Sequence, residues 1–243
     1  SNSSVAALSE TFGTEDSSMT IFLFALQQNL KQRISLLLLL VLPLILLSIP
    51  SMNGSLPMGF SLFGLLNLYT AFLMSRPVVE DRMQKIVVRI AASPISHGFY
   101  LVSHLLASLL LLSVQCLIFV IAARLFYGPD RTNYLILFLL YFSYSAMVLS
   151  LALAWNSMFR SYTTSFALFS GIGSIMCLVS GLSFPLSLLP QSVQTMVRIL
   201  PTYYLAQALA MLDAQSLSGI LLSAVVLWIF TGIFLLIGSK RRF

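Results

Sequence analysis

The stretch Arg76–Tyr100, RPVVEDRMQKIVVRIAASPISHGFY, decides the fold. It carries four of the thirteen basic residues (Arg76, Arg82, Lys85 and Arg89) and two of the seven acids (Glu80 and Asp81), and a long apolar run stands on either side of it. Hydrocarbon does not accept such a block. The segment therefore belongs at a membrane face, as a loop or short helix in reach of water, lipid headgroups or a soluble partner. The rest of the chain agrees: 58% of its 243 residues are hydrophobic, 8% are charged and the mean hydropathy is +0.96. A soluble domain carries about a quarter charged residues. The expected class is all-α and integral to a membrane.

Apolar stretches of about 17 to 25 residues mark the crossings. Six are expected: Ile34–Pro50, Leu56–Ser75, Gly98–Phe126, Tyr134–Ser157, Thr164–Phe184 and Leu217–Gly238. Ahead of the first, Ile21–Arg33 is apolar early and polar late, the pattern of an interfacial helix. Residues 1–18 are polar and serine-rich and read as a disordered tail or an appended segment, which leaves residues 19–243 as a single six-span domain.

The basic residues orient these spans. With both termini cytoplasmic, Lys31, Arg33, Arg76, Arg82, Lys85, Arg89, Arg160, Lys240, Arg241 and Arg242 lie inside, and only Arg124, Arg131 and Arg198 lie outside. That is the bias the positive-inside rule requires. The net charge of +6 is scattered over the ends of apolar runs, so it speaks for topology and against a nucleic-acid surface. Cys116 and Cys177 fall inside spans and read as small core residues. His97 and His104 are seven residues apart, about 10.5 Å along a helix, whereas two ligands of one ion lie within about 4 Å of each other. No metal site is expected.

Between the fifth and sixth expected spans, Gly181–Gln215 (GLSFPLSLLPQSVQTMVRILPTYYLAQALAMLDAQ) is apolar but broken by Pro185, Pro190 and Pro201. Each proline removes a backbone donor and clashes with the preceding turn, so the pieces are too short to cross. Two short helices dipping back into the outer leaflet are expected, with one kinked seventh span as the alternative. A seventh span would carry Lys240–Arg242 outside, against the charge bias.

Together these two irregular segments resemble ABC exporter permeases of the second exporter type, also called type V. The first matches the family's coupling segment through Glu80-Asp81-Arg82 and the end Arg89-Ile90-Ala91-Ala92-Ser93-Pro94, with Lys85-Ile86 where members often carry Gly-Thr. The second matches a Gly-x-x-Phe-Pro, Leu-Pro and Pro-x-Tyr order through Gly181, Phe184-Pro185, Leu189-Pro190 and Pro201-Thr202-Tyr203. The resemblance covers the chain from about Met19 to Phe243. It implies a bacterial cell-membrane permease that works beside a second permease, identical or paralogous, and two separate ATP-binding subunits. ATP and Mg would then belong to those partners and no cofactor to this chain. On this likeness Glu80, Asp81, Arg82, Lys85 and Arg89 couple to the ATP-binding subunit. Gly181, Phe184, Pro185, Pro190, Pro201 and Tyr203 form the outer gate.

The residues are consistent with that implication. The chain has no Gly-x-x-x-x-Gly-Lys-Ser/Thr loop to cradle phosphates, so ATP hydrolysis must lie elsewhere. Every acid falls outside the expected spans, which argues against an ion-coupled transporter, and no intramembrane hydrolase motif is present. Polar residues inside spans, Asn67, Tyr69, Thr70, Gln115, Tyr141, Ser143, Tyr144 and Asn156, are candidates for the pathway, although helix-to-helix hydrogen bonds are the commoner role of such residues. Ser170, Gly171, Gly173 and Ser174 are small residues at spacings that let helices approach closely, and by family likeness this span lies at a two-fold interface. Charge-poor spans suit hydrophobic or amphipathic cargo: a drug, an antimicrobial peptide or a lipid. A glycan exporter, with sugars stacked on Tyr69, Tyr141 and Tyr144, and a membrane sensor or scaffold are the alternatives.

Overall fold

The computed structural model describes residues 41–49, 56–76, 97–159, 161–183, 190–214 and 216–240. The charged residues Glu80, Asp81, Arg82, Lys85 and Arg89, the expected interfacial helix at 21–33 and the tail at 1–18 lie outside them, as do Phe184 and Pro185. Residues 41–46 are helical, within the first expected span. Seven helices follow: α1 (Met58–Met74), α2 (His97–Tyr127), α3 (Tyr134–Asn156), α4 (Tyr162–Val179), α5 (Gln191–Val197), α6 (Pro201–Asp213) and α7 (Leu217–Lys240). Four of them are long and apolar enough to cross a membrane, over Leu105–Tyr127, Tyr134–Asn156, Tyr162–Val179 and Leu217–Gly238. α1 has 17 residues, about 25 Å of helix, slightly less than a hydrocarbon core of about 30 Å.

Local chemistry sets the helix ends. Gly128, at φ +84°, closes α2, where only a residue without Cβ takes the left-handed conformation freely. The Asn133 side chain then opens α3 by accepting from the Ile136 amide at 3.2 Å. α4 stops at Val179, five residues short of the expected Phe184, because Gly181 turns left-handed at φ +92°. Pro201 occupies the first turn of α6, where its missing N–H costs nothing.

α3 is the hub: it packs against α1, α2, α4, α6 and α7, and 67% of its span is buried. α1 is apolar on every side and buried on nearly every side, the mark of a helix enclosed by others. Phe63 stacks on Phe119 with ring centroids 4.0 Å apart, and Tyr141 meets Phe63 edge-on at 4.8 Å, joining α1, α2 and α3. The exterior is apolar. Leu106, Ile121, Ile175, Leu222, Trp228 and Ile233 are all exposed on α2, α4 and α7, which suits a lipid solvent and would be untenable in water.

Six serine and threonine hydroxyls inside the spans are satisfied within their own helices. Thr70, Ser143, Ser145, Ser150, Ser223 and Thr231 each donate to the carbonyl four residues back. The carbonyl already serves the helix, so these bonds stabilise little but keep these six hydroxyls paired in hydrocarbon.

Candidate functional site

Interhelical polar contacts are concentrated along α1. At mid-depth Asn67, fully buried, donates from Nδ2 to Ser145 Oγ of α3 at 2.7 Å, and Cys116 of α2 lies 3.4 Å from the same hydroxyl. One turn further, Gln115 Nε2 reaches Thr70 Oγ1 at 3.5 Å. On another side of α1 the Tyr69 hydroxyl donates to the Ser170 carbonyl of α4 at 2.8 Å and shares a second hydrogen bond with Ser174 Oγ. Asn67, Tyr69, Thr70 and Gln115, four of the polar residues expected in the spans, thus join α1 to α2, α3 and α4.

The strongest junction is at the end of α1 that leads into the charged segment. Asn156, the last residue of α3 and 4% exposed, donates from Nδ2 to Ser75 Oγ at 2.7 Å and accepts at Oδ1 from Ser165 Oγ of α4 at 2.5 Å. Ser75 Oγ in turn donates to the Phe72 carbonyl at 2.6 Å, and the Trp155 indole donates to the Ser165 carbonyl at 3.2 Å. One amide therefore clasps three helix ends. Around it Phe72 stacks on Phe169 at 4.2 Å, and the Arg76 guanidinium lies 5.4 Å from the Tyr162 ring centroid, where its charge meets the ring's negative face. Asn156 was visible in the sequence only as one more polar residue; Ser75 and Ser165 gave no signal there, being serines among many.

The opposite end of the bundle carries the proline-broken segment. Its described part forms the two short helices α5 and α6, with Pro190 and Pro201 at their starts and Tyr203 edge-on to Tyr204 at 5.5 Å. α6 lies close against α1: a Cβ on Gly64 would stand 2.6 Å from Leu205 Cδ2 and 3.3 Å from both δ carbons of Leu182. Nearby, Arg124, Asp130, Arg131 and Asp213 border a cavity of about 650 Å³ where the loop from α2 to α3 meets the end of α6 and the start of α7. In sequence Arg124 and Arg131 counted only toward topology; that they border one cavity with Asp213 depends on the fold.

The small residues of α4 divide between two directions. Gly173 is buried, and a Cβ there would lie 2.9 Å from Leu68 Cδ2 of α1 in the same chain. Gly171 is exposed with nothing within 4 Å, Ser174 is exposed and Ser170 is half-buried. Only every fourth residue of α4, from Ser165 through Phe169 and Gly173 to Cys177, is buried. Tyr141 and Tyr144 are wholly buried, and the Tyr141 hydroxyl donates to the Phe60 carbonyl at 2.7 Å.

The family model described as ABC-2 family transporter protein matches residues 51–240. The chain belongs to this family. It is a membrane transport subunit of the ABC-2 type, of a family whose permeases work with an ATP-binding subunit and are not themselves catalytic. Among curated proteins none matches it. The matched range takes in all seven helices and the charged segment between α1 and α2.

Proposed function

We propose that this ABC-2 permease exports hydrophobic or amphipathic cargo, a drug, an antimicrobial peptide or a lipid, by alternating access, as one of two permeases joined to two ATP-binding subunits. In this reading the chain has six spans with both termini in the cytoplasm. Glu80, Asp81, Arg82, Lys85 and Arg89 meet the ATP-binding subunit, which supplies ATP and Mg. The observation that carries the reading is the Asn156 clasp. It fastens the end of α1, from which the charged segment departs, to α3 and α4. A push on that segment by a closing ATP-binding subunit is thereby shared among three spans.

Two further observations support it. Tyr141 and Tyr144 are enclosed within one bundle, so they offer sugars no stacking face, which favours apolar cargo over a glycan. Gly64, against which α6 packs, lies about 9 Å along α1 from Met58, as expected of a segment that dips into the leaflet to act as an outer gate. The exposed face of α4 with Gly171 and Ser174 is the surface for the second permease.

The test is co-purification of the chain with its ATP-binding subunit, reconstitution, and measurement of ATPase stimulation by candidate cargo. Stimulation by amphipathic compounds together with their ATP-dependent movement across vesicles is the expected result. ATPase activity insensitive to every such compound, in a complex that moves none of them, refutes it.

A further inference from the structure

We infer that Met211 is a site of oxidation by hydroperoxides, and that its sulfoxide loosens α6 from α7. The inference goes beyond the transport reading and is independent of the cargo. It needs only that a small polar oxidant reaches the turn between these two helices.

Met211 stands in the last turn of α6 and Gly219 in the first turn of α7. A Cβ on Gly219 would lie 3.0 Å from Met211 Cγ, 3.1 Å from its Sδ and 3.5 Å from its Cβ. The thioether thus fills the notch that the missing side chain leaves. The backbone behind it is tied: the Met211 carbonyl accepts from the Ser216 amide at 2.9 Å, and the Ala214 amide donates to the Ala210 carbonyl at 3.1 Å. Leu212 and Ile220, the next residues along each helix, are buried in the core. With both helices held in this way, the sulfur leaves the notch only by swinging outward or by carrying α6 with it.

The site is also reached from outside. Met211 is half-buried, and Ala210, Asp213, Ala214, Leu217 and Ser218 near it in the chain are exposed. A hydroperoxide gives one oxygen atom to a thioether sulfur. Its O–O bond breaks, an S–O bond forms, the sulfur is oxidised by two electrons, and hydrogen peroxide leaves as water. An unbranched, flexible thioether fits a narrow notch, whereas the sulfoxide is larger by an oxygen and carries a dipole that seeks water. At Gly219 the contact is already closed, so the added oxygen either forces the helices apart or draws the sulfur out of the notch. Met158 and Met196, at 56% and 72% exposure, are open to the same oxidant but have little packing to lose. Met74 and Met147 are packed but buried from it. Met211 combines access with a contact that depends on its reduced form.

The test uses the full chain in detergent micelles, treated with graded hydrogen peroxide and quenched. Peptide mass spectrometry reads the sulfoxide at each methionine, and thermal unfolding of the same samples reads Tm. Wild-type Tm should fall by about 5 °C in step with conversion of Met211 and of no other methionine. Amide hydrogen exchange in α6 and the first turns of α7 should quicken several-fold alongside it. Met211→Leu, a swap of similar volume, should hold its Tm while Met158 and Met196 oxidise as in wild type. A chain carrying both Met158→Leu and Met196→Leu should show the full wild-type fall, which keeps the test decisive if Met211→Leu does not fold. Met211 remaining a thioether while Met158 and Met196 convert overturns the inference. So does conversion of Met211 with Tm and exchange unchanged, or an equal fall of Tm in Met211→Leu.

Discussion

Replacing Asn156 by leucine, which has the same number of side-chain heavy atoms and no polar group, should loosen the bundle at the end that receives the charged segment. The amide makes two interhelical bonds, to Ser75 Oγ at 2.7 Å and from Ser165 Oγ at 2.5 Å, in a place only 4% exposed. Interhelical side-chain bonds in membranes average about 0.6 kcal/mol and reach about 1.7, so losing both costs about 1–3 kcal/mol. Ser75 Oγ keeps its bond to the Phe72 carbonyl, whereas Ser165 Oγ is left against a leucine side chain, and most of the cost should arise on the α4 side. Unfolding in mixed micelles titrated with a denaturing detergent measures the loss. Double-mutant cycles with Ser75→Ala and Ser165→Ala separate the two bonds, since each cycle should show a coupling of about 0.6 kcal/mol or more. In the reconstituted complex the same variant should uncouple cargo from ATP hydrolysis while assembly persists. Couplings below about 0.3 kcal/mol in both cycles, the usual scatter for independent sites, would refute the clasp.

The glycines of α4 should separate by direction. Gly173→Leu drives a side chain into Leu68 and should cost about 1–3 kcal/mol and lower the yield of folded protein. Gly171→Leu meets nothing in its own chain, so yield should hold while disulfide crosslinking between two Ser174→Cys chains falls; the reverse pattern of yields would invert the assignment. Gly64→Val should push α6 off α1, with a cost of about 1–3 kcal/mol in thermal unfolding, and an unchanged transition would show that Leu205 and Leu182 move aside freely. Charge reversal at Glu80 and Asp81 together should reduce co-purification with the ATP-binding subunit while membrane insertion continues; wild-type assembly and transport would exclude these residues from the contact.

The sequence by itself determined the class and the breaks. A charge in hydrocarbon is so costly that the charged stretch alone marks the chain as apolar runs broken by a polar block, and prolines 190 and 201 had to interrupt any helix running through them. Helix boundaries followed to within a few residues, except where Gly181 ended α4 early, because whether a glycine turns left-handed depends on its surroundings. Pairing between helices was decided only by the tertiary structure. Inside a membrane an apolar residue gains nothing by choosing protein over lipid, so hydropathy carries no direction, and the faces of α1, α3 and α4 look alike in sequence. Packing chose Asn156, Ser75 and Ser165 to meet, turned Gly173 inward and Gly171 outward, and gathered Arg124, Asp130, Arg131 and Asp213 from three separate segments around one cavity.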